Sequence, residues 1–359
     1  MSSGTVILPI AGRSSRFPGT RPKWLLTAPT GQLMLQLALD SVPGWHDRRV
    51  VIGALREHLH ELSGEGAIRR ALGQHPEIVE FEKPTSGPAE TVSEIIRRAN
   101  ITGSIFIKDC DSWFVTHDDV FDDVVCYADL RSTPSVDNVA AKSFLLLNEN
   151  MLLVGMIEKS VASNYISVGG YGFHDAASYL AWFGLLRSQA GSNELFVSHV
   201  IESALAKGAA FRGCRVDNYA DVGTLDAWHR FRGRQATYFV DIDGVIFANS
   251  GLYTPPFYED PDRPLMPNIE LLKGLVDAGA QLVLLTARPE QFRAKTEKAL
   301  RELGLRWHSA IFELNHARRL LINDFAPTNP FPSAIAINVT RDSERLTDYV
   351  AEINPRTVR

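Results

Sequence analysis

Cysteine is scarce in this sequence: Cys110, Cys126 and Cys214 are scattered and form no CxxC spacing. That argues against a disulfide scaffold or a thiolate zinc site and leaves buried thiols in a reducing compartment as the simpler reading. An excess of one charge is also missing, since 37 Lys and Arg face 42 Asp and Glu for a net charge of -5. No broad electrostatic footprint for a nucleic-acid polymer is present, although a local positive pocket for phosphates stays compatible with it. No apolar run approaches the roughly 18 residues of a membrane span, and the start lacks a basic segment followed by a long apolar one. A cytoplasmic protein without a membrane span is the expectation, its oligomeric state left open.

What is present is an ordinary globular composition, 45% hydrophobic and 22% charged, over 359 residues. That length favours two or three domains over a single core. Val6 to Ile10, Val50 to Ala54, Ile78 to Phe81 and Ser104 to Lys108 read as buried strands. Leu33 to Leu39 and Glu90 to Arg98 read as helices between them, the second with Val92, Ile95 and Ile96 on one side. Alternation of this kind predicts an α/β domain with a largely parallel sheet and a ligand site at the C-terminal strand ends. Val139 to Leu147 and Leu152 to Ile157 add strand-like runs, and the glycines of Tyr165 to Phe173 imply tight backbone approach or a bend rather than a flexible linker. Tyr179 to Leu186 and Phe196 to Ala206 look helical. The short basic stretch RFRGRQ, residues 230 to 235, precedes a new apolar strand. It marks a boundary between domains 1–232 and 236–359.

In the second domain Tyr238 to Phe247 places Asp241 and Asp243 at the end of an apolar strand, on the same side of extended backbone, with Gly244 permitting the turn that follows. Gln281 to Leu285 delivers Thr286 and then Arg288, and Leu320 to Ile322 delivers Asn323 and Asp324. Two acids, a hydroxyl and a further acid at three strand ends suit phosphoryl transfer. One aspartate attacks phosphorus, another carries the proton, and Mg2+ offsets the negative charge. Tyr253, Pro255, Pro256, Phe257 and Tyr258 could wall the pocket or form a plain surface connection.

These residues resemble the haloacid-dehalogenase-like (HAD) phosphatases over roughly residues 236 to 345, with DIDGVIF, LLTAR and LINDF standing for three of that family's motifs. The resemblance implies a Rossmann-like domain with little or no cap. It makes Asp241 the nucleophile, Asp243 the acid/base, Thr286 a phosphate ligand, and Asp241, Asp243 and Asp324 the metal ligands. Arg318, Arg319 and Lys295 are the candidates for its basic residue, and Asn323 stands where an acid is common.

In the first domain LPIAGRSSRF combines a strand with small turn residues and two arginines. The backbone N–H groups of such a turn can hold phosphate oxygens, with Arg13 or Arg16 offsetting their charge. A Walker A loop is excluded because no GK[ST] ending follows. Lys23 can reach the same anion if the loop folds back. Asp109-Cys-Asp111 ends the strand at Lys108, and Asp221 lies beside the Gly223 turn. Asp111 and Asp221 could share one Mg2+ at a nucleotide's α-phosphate, where a substrate phosphate oxygen attacks and pyrophosphate leaves.

This part, residues 4 to 230, resembles the sugar-phosphate and related nucleotidyltransferases, whose α/β fold is GT-A-like. The resemblance is carried by LPIAGRSSRF with PKWLL, by DCD and by DVGT. It implies nucleotide contacts from Ala11, Gly12, Arg13, Ser14, Gly87 and Glu90, catalytic roles for Arg16 and Lys23, and metal ligation by Asp111 and Asp221. EKSVASNYISVGGYGF resembles the acceptor side, so Glu158 and Lys159 are implied to bind the acceptor, Lys159 at its phosphate. Ser14 stands where many relatives have glycine, which blurs the base preference.

Together the two likenesses imply a bifunctional enzyme of capsule or other surface-glycan synthesis. It would use an NTP, a phosphorylated sugar or polyol, and Mg2+ at both sites. A phosphatase with a nucleotide-binding regulatory domain is one alternative. A noncatalytic two-domain binding module is the other.

Overall fold

A computed structural model of the chain describes residues 4–133, 136, 138–189, 194–249, 262–324 and 334–353. The chain divides into two compact units, Met1–Ala227 and Trp228–Arg359.

The first unit contains β1 (Thr5–Ile10), α1 (Met34–Asp40), β2 (Arg49–Leu55), α2 (Arg56–His60), α3 (Gly64–Leu72), β3 (Glu77–Phe81) and α4 (Pro88–Arg98). It continues with β4 (Ile105–Lys108), β5 (Ser112–Val115), β6 (Val124–Asp129), β7 (Ser143–Leu147), β8 (Leu153–Glu158) and β9 (Tyr165–Phe173). Then come α5 (Ala176–Gln189), α6 (Val197–Leu205), β10 (Arg212–Arg215) and β11 (Asp217–Asp221); α7 (Leu225–Arg234) runs across the division between units. The main sheet runs β10-β6-β9-β4-β1-β2-β3, with the β7–β8 hairpin attached to β9, while β11 and β5 form a separate antiparallel pair.

β1 shows why its residues are an unbroken apolar run. Ile7 faces the core formed with α4, α5 and α6, and Val6, Leu8 and Ile10 face the core formed with α1 and Trp24. A strand covered on both faces has no polar side to alternate. In α4 the expected face is buried, Val92, Ile95 and Ile96 at 2% exposure or less.

The expectation of a largely parallel sheet needs correcting at β9. That strand lies antiparallel to β4, β6 and β7. The alternation of strand and helix stops after β4, and among the described residues no α-helix lies between β4 and β9 to carry a parallel crossover. The tight approach read from the glycines is present: a β-carbon on Gly169, at φ +76°, would lie 2.6 Å from a carboxylate oxygen of Asp109.

The second unit contains β12 (Thr237–Asp241), α8 (Met266–Asp277), β13 (Gln281–Leu285), α9 (Arg293–Glu302), β14 (Ser309–Ile311) and α10 (Leu346–Ile353). Its strands are parallel in the order β12-β13-β14. Ile242, Ile246, Ile269, Leu272, Leu284 and Leu300 form the centre of its core. The strand expected at Leu320–Ile322 is not formed; these residues are 79%, 60% and 92% exposed. Three apolar residues between paired arginines and Asn-Asp have no ladder partner, and β14 takes the place beside β13. The aromatic stretch from Tyr253 to Tyr258 lies outside the described residues.

Candidate functional site

β1 and β4 are parallel, so the loop after Ile10 and the turn after Lys108 leave the sheet at the same end. In the loop, Ala11 is buried while Gly12 and Arg13 are exposed. Ser14 adopts a φ of +53°, in the left-handed region that glycine enters most readily. Its hydroxyl oxygen accepts the Lys23 N–H at 3.1 Å, folding the loop back onto the Lys23–Leu25 turn as the sequence required. Lys23 Nζ then donates to Asp111 Oδ2 at 2.7 Å, and Arg16 stands 3.9 Å from the same oxygen.

Asp221 reaches Asp111 through the β11–β5 pair. Asp221 is in register with Ser112, and the Val222 N–H donates to the Asp111 carbonyl at 2.9 Å. Gly223 lies between the two carboxylates: a β-carbon there would be 3.0 Å from Asp111 Oδ2 and 3.1 Å from Asp221 Oδ1. Asp221 carries its own cation, Lys142, which sequence reasoning missed because it stands alone before β7 with no motif around it. Two acids, each with a lysine, thus face a space kept clear by a glycine.

The electrostatics follow from that arrangement. Burial works against the Lys23 charge, but Asp111 beside it raises the ammonium above its ordinary value. For Asp111 burial acts to raise the carboxyl, and Lys23, Arg16 and Lys142 outweigh it, holding the group below the usual range. Asp109, pressed against Gly169, is pushed up to about 6 by burial and then by Asp111. Beneath it the fully buried Lys108 donates to the Asp109 carbonyl, the Ser112 carbonyl and Ser112 Oγ at 2.7, 2.7 and 2.9 Å. Burial lowers that ammonium to about 8, Asp109 and Asp111 partly opposing it.

The other expected contacts have local partners. Glu90 Oε2 accepts the Ser86 N–H at 2.7 Å, and Arg187 stands 3.8 Å from its carboxylate. Gly87 is fixed by packing, since a β-carbon would meet the Leu195 carbonyl at 2.5 Å. Glu158 accepts hydrogen bonds from Ser143 and Ser198, and Lys159 Nζ lies 4.0 Å above the Phe196 ring.

In the second unit Asp241 ends β12, half-exposed, with Arg319 3.7 Å away. Burial raises its carboxyl and Arg319 opposes. Asp243 is closely held: Arg288 Nη2 donates to Oδ1 at 2.7 Å, Arg288 Nε reaches both oxygens at 3.1 Å, and Thr286 Oγ1 donates at 3.0 Å. Arg288 also binds Asp262 at 2.7 Å and Thr296 at 3.0 Å, and is 2% exposed. Burial disfavours its charge, and the two aspartates more than offset that. The Thr-Ala-Arg run named Arg288 without giving it this role. Lys295 and Arg318 are exposed. The Gly244 turn is met by a segment the motifs did not single out: Asp342 N–H donates to the Gly244 carbonyl at 2.9 Å. Among the described residues no three His, Cys, Asp or Glu side chains gather closely enough to enclose a metal ion. A cation at either pair of acids would therefore take further ligands from elsewhere.

Among the described residues no helix is long and apolar enough to cross a membrane. No family model and no curated protein sequence matches the chain. Solved structures do. The nucleoside-diphosphate-sugar pyrophosphorylase of Vibrio cholerae RC9 is 20% identical over 63% of this chain and 98% of that one, with a TM-score of 0.53. The inositol-1-phosphate CTP transferase of T. maritima is 16% identical over 63% and 91%, with a TM-score of 0.50. A UDP-glucose pyrophosphorylase complexed with UDP-glucose is 15% identical over 64% and 97%, also at 0.50. At such identities the likeness is one of fold, and the N-terminal 63% of this chain has the nucleotidyltransferase-like α/β fold.

Proposed function

We propose that the first domain, residues 1–232, transfers a nucleotidyl group from an NTP to a sugar or polyol phosphate and releases pyrophosphate. The observation that carries this reading is the pair Asp111 and Asp221, facing each other across Gly223 with Lys23 and Lys142 as counter-charges. The fold shared with enzymes named as pyrophosphorylases and a CTP transferase supports it.

The donor set fits Mg2+. Two carboxylates with no side chain between them can hold the ion, the remaining ligands coming from phosphate oxygens. When bound, the ion would draw negative charge from the α-phosphate. The protein's own groups do the rest. The Ala11–Arg16 loop offers N–H groups and Arg13 and Arg16 to the triphosphate. Lys23, tied to Ser14 through its backbone, stands between that loop and Asp111. An acceptor phosphate oxygen forms a bond to the α-phosphorus while the bond to the bridging oxygen of pyrophosphate breaks. The attacking dianion needs no base, so orientation and charge neutralisation carry the rate. Glu158 and Lys159 would contact the acceptor, and Gly87 and Glu90 would shape the wall on the nucleotide side.

The test is a product-resolved screen of the full chain with Mg2+, the four common NTPs and a panel of phosphorylated sugars and polyols. Stoichiometric pyrophosphate and a nucleoside-diphosphate product support the reading. Hydrolysis or binding alone defeats it in favour of a regulatory or noncatalytic domain.

A second activity is supported by a separate observation. Asp241 lies open at the end of β12 with its carboxyl raised and Arg319 beside it, while Asp243 is locked by Arg288 and Thr286. We read residues 236–359 as a HAD-like phosphomonoesterase with Asp241 as nucleophile, Asp243 as acid/base once a substrate loosens its arginine, and Thr286 at the phosphate. Mg2+ would be held by Asp241 and Asp243, since Asp324, the third ligand the resemblance implies, does not gather with them into one site, and Lys295 or Arg318 would be further phosphate ligands. Both activities would serve one pathway such as surface-glycan synthesis. Phosphate release from bisphosphorylated members of the same panel tests this half.

A further inference from the structure

Lys142 is the side chain at the candidate site that no motif accounts for. It is the last residue before β7, follows the single turn Val139–Ala141, and pairs with Asp221 Oδ2. Both side chains are mostly buried, at 20% and 15% exposure, yet open enough to meet a solute. Its backbone belongs to the other side of the site. The Lys142 carbonyl accepts the Lys159 N–H at 3.0 Å, and Ser143 next to it is in register with Glu158 and donates to that carboxylate. Lys159, the lysine expected at the acceptor's phosphate, has its ammonium over Phe196. Lys142 is thus the cation that joins the Glu158 segment to the acid pair, as Lys23 joins the nucleotide loop to it.

We propose that Lys142 is an acceptor-phosphate lysine held in reserve by Asp221: it would leave that carboxylate when a divalent cation is bound at the acid pair, and its freed ammonium would receive the acceptor's phosphate. This rests on the nucleotidyl-transfer reading given above. The physical argument is competition for one carboxylate. An ammonium at Asp221 Oδ2 and a divalent ion at Oδ1, the oxygen beside Gly223 and Asp111, repel each other across one carboxylate, and the doubly charged ion is the stronger partner for it. The displaced lysine stays within reach, because its carbonyl accepts the Lys159 N–H and Ser143 beside it is in register with Glu158. It then faces the side from which a phosphate dianion must approach the α-phosphorus. Charge balance is kept without proton transfer: the site exchanges one ion pair for a metal–carboxylate bond and an ammonium–phosphate pair. The acid pair is also kept from repelling itself before substrate arrives.

The experiment uses calorimetric titration of the full chain and its Lys142→Met and Lys142→Arg variants, with circular dichroism to show that each is folded. Three probes are added: Mn2+ alone, then inorganic phosphate or pyrophosphate to the Mn2+-loaded protein. Removing the competing ammonium should tighten Mn2+ binding in Lys142→Met by about fivefold, the size of a modest ion pair. Phosphate binding should weaken by about tenfold, because no ammonium is left to meet the anion, while pyrophosphate, standing for the nucleotide tail, binds as in wild type. Lys142→Arg should stay near wild type in all three. Unchanged or weaker Mn2+ binding in folded Lys142→Met overturns the exchange, and loss of pyrophosphate in place of phosphate reassigns Lys142 to the nucleotide. These are binding measurements, so they can fail while pyrophosphate is still released in the screen, and succeed when it is not.

Discussion

Lys23 Nζ lies 2.7 Å from Asp111 Oδ2, joining the loop after β1 to the turn after β4. Each holds the other in its charged form against burial, so removal of either does more than break one ion pair.

Lys23→Met should lower pyrophosphate release by about 100-fold or more, the range found when an electrostatic catalytic group is removed. It should also destabilise the fold by about 1–3 kcal/mol, because Asp111 keeps only the distant Arg16 and Lys142. Steady-state kinetics with urea denaturation separates the two effects. Asp111→Asn should be as inactive; unchanged pyrophosphate production by that variant defeats its metal role.

Gly223→Ala places a methyl group 3.0–3.1 Å from oxygens of both carboxylates without a forced left-handed backbone. The expected outcome is weaker Mn2+ binding by about tenfold with stability changed by under about 1 kcal/mol. Wild-type Mn2+ affinity in this variant would show that the cation does not sit between Asp111 and Asp221.

Much of this arrangement was readable from local pattern. β1 to β4, α1, α4, β12 and β13 each announced themselves through apolar runs, and the Gly-Ser-Arg loop does fold back onto Lys23. What could not be read was pairing at a distance. Lys142 has no sequence neighbour of note, and it matters only because β7 begins beside β11's terminal aspartate. Arg288 was visible only as the end of a motif, while its partner Asp262 follows an aromatic stretch that named no ligand. Leu320–Ile322 failed for the opposite reason: three apolar residues satisfy a strand pattern, but here they lie exposed and, among the described residues, join neither edge of the β12-β13-β14 sheet.

The buried Lys108 gives a pH test. It titrates at about 8 in the folded chain against 10.5 for an ordinary lysine. Between those values the unfolded chain binds the proton that the folded chain has released, so this group's contribution to stability rises with pH, by at most about 3 kcal/mol. In EDTA, the stability of wild type relative to Lys108→Met should therefore increase between about pH 8 and pH 10. A flat difference would mean that the three hydrogen bonds hold the ammonium at its ordinary value. At neutral pH Lys108→Met should be destabilised by about 1–3 kcal/mol, its three oxygen acceptors left without that donor.

Arg288→Met should destabilise the second unit by about 3–5 kcal/mol, since Asp243 and Asp262 would share a largely buried site without their cation. Thermal unfolding followed by calorimetry reads this directly, and pyrophosphate release should persist wherever the first unit remains folded. Asp241→Asn tests the same separation by chemistry: phosphate release should vanish with pyrophosphate release retained. Parallel loss of both in a folded protein would overturn the assignment of two independent sites.

Asp221 comes into place through β11, a short strand paired with β5, after β9 has been laid between β4 and β6. A chain growing from its N-terminus can assemble β1 to β4 and close Lys23 onto Asp111 long before that strand exists. The anion-facing loop is thereby built early and waits, half-equipped, through the synthesis of nearly a third of the chain. The β11–β5 pairing, between segments far apart in the chain, then supplies both the second acid and the partner of Lys142.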